Sequence, residues 1–212
     1  MKKYVNILLV ALLCTGIIGG CKKDSPAKDY AASIKDKTWW GQFFYTGKPV
    51  EYYAIHFSGD SSLTWSEFST DYPGKWVLDG NKLMISLDGA ASTFKATVSD
   101  ENKLADIINT QANGYNMISS EALANPANTP LDNTIWKGTA VSGSLIIALQ
   151  LSFKPGLNVE TKSGSNFPST HTYIMQSGVI RVGPNLFGVM TSATEMKGSV
   201  DKPAYLWQAT KQ

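Results

Sequence analysis

Two histidines, His56 and His171, are the side chains of this chain best suited to move a proton near neutral pH. A serine hydrolase would set one of them between a serine nucleophile and an acid, often at a Gly-x-Ser-x-Gly turn. Gly143-Ser144 lacks the second glycine, and Lys162-Ser163-Gly164-Ser165 reads as a loop. A metal centre needs several donors at close spacing. The two histidines lie far apart, with no carboxylate at ligand spacing. His56 alternates with Ile55 and Phe57, which puts it on the outer face of a strand, and His171 sits in a polar Ser-Thr-His-Thr segment. Glycoside hydrolysis would need two carboxylates across a cleft. Asp71, Asp79, Asp88, Asp100 and Glu101 fall at turns, where Asp favours the local geometry, and leave Glu67 and Glu160 as carboxylates on strands. No Gly-rich phosphate loop precedes a helix. The expectation is a protein without a catalytic set, a metal or a cofactor.

The cysteines carry a different chemistry. The chain opens Met1-Lys2-Lys3 and runs through Val5, Ile7, Leu8, Leu9, Val10, Ala11, Leu12 and Leu13. A short positive segment before a short apolar run is a secretory signal peptide. The run ends near Gly20, short of the roughly 20 apolar residues a spanning helix needs. Ile18-Gly19-Gly20-Cys21 offers the small side chains a signal peptidase cleft accepts, with a cysteine directly behind them. This tetrad resembles the bacterial lipobox. The resemblance implies that residues 1–20 are cleaved and that Cys21 is lipidated and becomes the N-terminus. Cys14 leaves with the signal, so no thiol remains for a disulfide, a zinc site or a nucleophile. Residues 21–35 read as a flexible tether, polar from Lys22 to Lys28. No Asp follows Cys21, which favours the outer membrane; the leaflet is left open.

Charge argues against polyanionic partners. The full chain has 19 basic and 17 acidic residues; loss of Lys2 and Lys3 leaves 17 of each. Arg181 is the one arginine, and Arg is the preferred group for bidentate phosphate and base contacts. Nucleic acid is therefore not an expected partner.

The elements that must position any site follow a two-residue rhythm. Glu51, Tyr53, Ile55 and Phe57 share one face of a strand, with Val50, Tyr52, Ala54, His56 and Ser58 on the other. Ser58-Gly59-Asp60-Ser61 and Asp79-Gly80-Asn81 are hairpin turns between apolar runs. The predicted inward set is Ile55, Phe57, Leu63, Trp76, Leu78, Leu83, Ile85 and Phe94 with their counterparts further along.

Those counterparts come from an internal repeat. Thr38, Trp40, Ile55, Phe57 and Leu63 match Thr134, Trp136, Leu151, Phe153 and Val159 at a constant offset of 96. Trp76, Val77, Leu78, Leu83 and Ile85 then match Tyr173, Ile174, Met175, Ile180 and Val182 at 97, and Phe94 and Ala96 match Phe187 and Val189. The domain therefore spans 36–212 as two repeats, 36–108 and 132–212. A Pro- and Asn-rich linker, 109–131, joins them, with one helical turn over Ser119 to Ala124. Consecutive hairpins imply an antiparallel meander, and a long meander hides its edges by closing into a barrel. The fold class read from the sequence is all-β, an antiparallel meander barrel built from two repeats. One barrel and two packed half-domains both satisfy the pattern.

Each repeat opens with a short Trp-plus-Gly motif, Trp39-Trp40-Gly41 and Trp136-Lys137-Gly138, and continues with Ile55-His56-Phe57 or Leu151-Ser152-Phe153. With Gly74-Lys75-Trp76 and Asp79-Gly80-Asn81, this layout resembles the lipocalin-like lipoproteins of Gram-negative bacteria. The second repeat departs from it, with Tyr173 for the central Trp and Gln176-Ser177-Gly178 for Asp-Gly-Asn. The resemblance implies a calycin-type barrel without enzyme activity and transfers no ligand.

Aromatic residues are the remaining signal, with six Trp, nine Tyr and eight Phe. Trp39, Phe43 and Tyr45 share one face of the first strand, and Trp40 and Phe44 the other, so that strand should be covered on both sides. Trp65, Trp76 and Tyr173 are the candidate ligand-binding residues, aimed into the barrel. The expected function is that of a membrane-anchored, non-catalytic lipoprotein holding a small apolar or amphipathic ligand. A structural or interaction module (a subunit of an envelope complex, an inhibitor or a glycan-binding surface protein) is the alternative.

Overall fold

The structure, a computed structural model, describes residues 28–68, 70–88, 93–110, 114–122, 130–201 and 204–212. The signal peptide, Cys21, most of the tether and much of the inter-repeat connection lie outside the described residues. The first repeat contributes α1 (Tyr30–Ile34) and strands β1 (Lys37–Tyr45), β2 (Glu51–Phe57), β3 (Ser62–Glu67), β4 (Thr70–Asp79), β5 (Lys82–Leu87), β6 (Thr93–Val98), β7 (Leu104–Asn109) and β8 (Tyr115–Ala122). The second contributes β9 (Ile135–Ser142), β10 (Leu145–Lys154), β11 (Asn158–Ser163), β12 (Ser169–Gln176), β13 (Val179–Val182), β14 (Leu186–Met190), β15 (Glu195–Val200) and β16 (Tyr205–Lys211).

Each repeat makes its own barrel, so the protein is two packed barrels rather than one. In the second repeat, β9 to β16 form a closed antiparallel barrel, sealed where β16 pairs with β9. In the first, the order is β7-β6-β5-β4-β3-β2-β1-β8, and β7 lies against β8 without a continuous ladder, so this barrel is nearly closed. Both are meanders whose last strand returns to the first, because short hairpins make sequence neighbours pair. The sealing strand β8 occupies residues expected to belong to the connection and its helical turn. The first barrel needs that strand to cover the free edge of β1.

The ladders also correct the repeat by one position at two places. Trp39 lies opposite Ile55, and Trp136 opposite Leu151, so Trp39 rather than Trp40 is the counterpart of Trp136. Phe187 and Val189 point out of their barrel, whereas Phe94 points in. A slip of one residue moves a side chain to the other face of the sheet, so the exact match decides which Trp is core.

Inward residues fill both interiors. Ile55, Phe57, Leu63, Trp76, Leu83, Ile85 and Phe94 are buried as the alternation predicts, and Leu78 packs at the edge of the same cluster. The helix α1 is capped by Asp29, whose carboxylate accepts from Ala32 N at 3.2 Å. It closes the lower end of the first barrel with Ile34, and Trp39 Nε1 donates to Ser33 O at 3.1 Å beneath it. In the second barrel Trp207 lies over Gly188 and Gly198, whose missing side chains leave room for the indole, and its Nε1 donates to Phe187 O.

The barrels pack side by side through outward faces. Ala54, Trp40, Tyr52 and Phe68 of the first meet Val179, Phe187 and Val189 of the second. Trp40 is thus the outer aromatic of β1, and the second barrel is what covers that face. Tyr52 N donates to Ser199 Oγ at 2.7 Å, and Thr38 Oγ1 donates to Ser177 O at 2.8 Å. Arg181 clamps the seam: Nη1 and Nη2 hold the two oxygens of Asp71, Nε donates to Phe68 O, and Nη2 also reaches Thr70 O. Burial works to raise the Asp71 carboxyl. Hydrogen bonds from Arg181 and Ser66, with the charge of Arg181, outweigh it and hold the pKa below its ordinary value.

Candidate binding site

The end of the first barrel opposite α1 is built from the top of β1, β2, β3, β4 and β8. Alternation aims Tyr45, Glu51, Tyr53, Trp65, Glu67 and Tyr72 to the inner side of these strands. Its floor is an aromatic stack. The ring of Trp65 lies 4.3 Å from Tyr53 and 5.6 Å from Phe94, within 12° of parallel to each, and Phe43 meets it edge-on at 6.4 Å. Such pairs contribute about 0.5–1.5 kcal/mol each beyond their buried area. Tyr53 OH donates to Ser119 O at 2.8 Å.

Above this floor stand two carboxylates on what is otherwise the apolar face. Glu67 is 6% exposed. Tyr45 OH donates to its Oε1 at 3.3 Å, while Oε2 is buried with no hydrogen-bond partner among the described residues. Ser120 Oγ, across the barrel wall beside Gly41, is buried in the same condition. Burial pushes the Glu67 carboxyl up to about 6, against the opposing effect of the nearby Tyr72, Tyr45 and Trp65 donors. Glu51 is pushed up to about 7, chiefly by burial, then by the charges of Glu67 and of Asp201 from the second barrel. Burial and the nearby Glu67 raise the Tyr45 and Tyr72 hydroxyls as well.

These shifts make stability depend on pH. The folded protein keeps the Glu51 and Glu67 protons to higher pH than the unfolded chain, where carboxyls titrate near 4.5. Stability therefore falls as pH rises from about 4.5 to about 7, with Glu67 accounting for about 2 kcal/mol of the decline. Glu67→Gln is expected to melt with the wild type near pH 5 and above it near pH 8. Thermal melts at the two values decide it; identical pH profiles for both proteins would refute it.

The residues singled out from sequence are split between interiors. Trp65 is central to the mouth. Trp76 lies lower in the same barrel, its Nε1 donating to Ser58 O at 3.1 Å and its ring edge-on to Phe57. Tyr173 is in the second barrel, where its hydroxyl donates to Asp132 Oδ1 at 3.1 Å and its ring meets Phe153. Glu67 faces inward in the first barrel, whereas Glu160 sits on β11 of the second, so the two strand carboxylates share no cleft. His56 and His171 also belong to different barrels, and Nδ1 of His56 lies 3.1 Å from Thr38 Oγ1. Among the described residues no three His, Cys, Asp or Glu side chains gather as metal donors. Sequence reasoning passed over Glu51, although its place in register with Tyr53, Ile55 and Phe57 is the signal that finds it.

A concavity lies in the seam. It holds about 300 Å³ and is walled by His56, Thr64 and Pro73 on one side and by Gln176, Val179 and Arg181 on the other. Its strongest polar group, the Arg181 guanidinium, is already committed to Asp71 and two carbonyls. No family model, curated protein or solved structure matches the chain.

Proposed function

We propose that this protein is a membrane-anchored, non-catalytic lipoprotein of the lipocalin-like kind that holds a small amphipathic ligand in the mouth of its first barrel. The observation that carries the reading is the contrast between the barrel's two ends. One end is closed by α1 and Trp39, whereas the other brings buried carboxylate and hydroxyl oxygens, without partners among the described residues, to the edge of an aromatic floor. Buried polar groups in folded proteins are ordinarily paired, and an oxygen without a protein partner calls for one from water or from a ligand atom.

The proposed lipid on Cys21 supports the same arrangement. Lys28 is held at the lower end by Ser99 O and Asp100 O. The seven residues from Cys21 to Lys28 reach at most about 25 Å. A ten-residue strand such as β4 spans about 33 Å. An anchor on that side leaves the mouth turned away from the membrane, an outer membrane on the reading that no Asp follows Cys21.

The test joins both parts. Acyl label should enter the wild type and be absent from Cys21→Ala. The purified domain should bind N-phenylnaphthylamine with quenching of its Trp emission, and native mass spectrometry should recover a bound small molecule. A protein that takes neither label nor probe removes the reading. The interaction-module alternative draws on one feature of the second barrel. Ile146 is 68% exposed beside the turn after β9, and Phe167 is 95% exposed in the loop after β11. Solitary elution from solubilised envelopes counts against that alternative.

A further inference from the structure

We infer that the mouth of the first barrel is selective for organic cations, an amine or quaternary ammonium on an apolar body, with the Glu67 carboxylate as counter-charge. The assignment rests on the binding role proposed above and names the chemistry of its ligand. Four observations carry it.

Glu67 and Glu51 both face the mouth, and among the described residues neither has a Lys or Arg within ion-pair distance. A buried carboxylate without a cation is costly, and a ligand that brings the cation relieves the cost. Glu67 Oε2, without a partner among the described residues, can only accept and so suits a ligand rich in N–H donors or positive charge, while Ser120 Oγ can accept or donate beside it. The Tyr45 and Tyr72 rings supply negative faces that attract ammonium groups, and the Tyr53–Trp65–Phe94 stack beneath them is a floor for the apolar body. Finally, the same two carboxylates repel an anionic head, which sets fatty acids and other carboxylate lipids apart from the ligands admitted. A hard metal ion is a poorer fit. Such ions take six or more oxygens, and the rings occupy the places where further oxygens would have to stand.

Three probes of one shape and different charge test the inference: phenethylamine, phenethyl alcohol and phenylacetate. Each is titrated calorimetrically into the full chain without its signal peptide near pH 8. The amine should bind at least about tenfold more tightly than the alcohol, and phenylacetate should not bind. Glu67→Gln, close to isosteric, should bring the amine down to the level of the alcohol. Glu160→Gln, in the other barrel, should leave the order unchanged. Equal affinity for amine and alcohol, or a preference that survives Glu67→Gln in a folded protein, overturns the inference. Failure of all three probes overturns it as well. If N-phenylnaphthylamine still quenches Trp emission in that case, the binding role stands and only the cation is lost; if it does not, both fall.

Discussion

Gly138→Ala will abolish closure of the second barrel. A Cβ at this position would stand 1.8 Å from Gln208 O and 2.7 Å from Ala209 Cα, both backbone atoms of β16. Neither can swing aside as a side-chain tip could. Strands β9 and β16 form the seam that seals the barrel, with Gly138 opposite Ala209. Relief means parting the seam, which exposes Trp136 and Trp207 and their hydrogen bonds. Overpacking a core with room to adjust costs about 1–3 kcal/mol, and a clash with fixed backbone exceeds that range. Gly41 occupies the same place in the first repeat, 1.8 Å from Ser119 O, and should behave alike. Urea unfolding followed by Trp emission is the measurement. A Gly138→Ala protein with unchanged midpoint and slope would mean that β9 and β16 do not approach as described.

Trp65→Ala will cost about 3–5 kcal/mol and empty the centre of the first barrel. The indole is fully buried and is stacked on Tyr53 and Phe94 with Phe43 at its edge, so its removal strips three rings of their contacts at once. The cavity would sit beneath Glu67, and the apolar body of a ligand would lose its floor. Chemical denaturation gives the first effect, and loss of N-phenylnaphthylamine quenching gives the second. Trp65→Phe, which retains a ring, should recover most of the stability. Full stability in the alanine variant would contradict the stack.

Much of this architecture is legible from the chain because the period-two pattern is local. Glu51, Tyr53, Ile55 and Phe57 share a face in any β-strand, and Asp79-Gly80-Asn81 turns the chain through the positive φ that Gly80 adopts. The repeat is legible for the same reason, and a Trp-plus-Gly motif opens both copies. The one-residue errors at Trp40 and at Phe187 have a physical origin. Both residues lie on outward faces that the other barrel covers, so apolar side chains stand on both faces of β1 and β14, and alternation no longer tells inside from outside.

The site was only half visible. Trp65 stands out as an inward aromatic, but the pattern leaves one barrel or two open, and only the fold shares its interior with Trp76 and puts Tyr173 in the other barrel. That Glu51, Glu67, Tyr45 and Tyr72 meet above Trp65 depends on how far each strand runs before it turns. That Arg181 is taken up by Asp71 depends on how two barrels dock.

By itself, then, the order of residues determined most strands, hairpin turns, the duplication and which residues face inward where only one face of a strand is apolar, since these follow from backbone periodicity and turn chemistry within a few neighbours. Tertiary structure alone decided that each repeat closes its own barrel, that β8 completes the first, and that two carboxylates are stranded in an aromatic mouth. Those outcomes turn on strand-edge pairing and on the desolvation of groups distant in the chain, which no local pattern encodes.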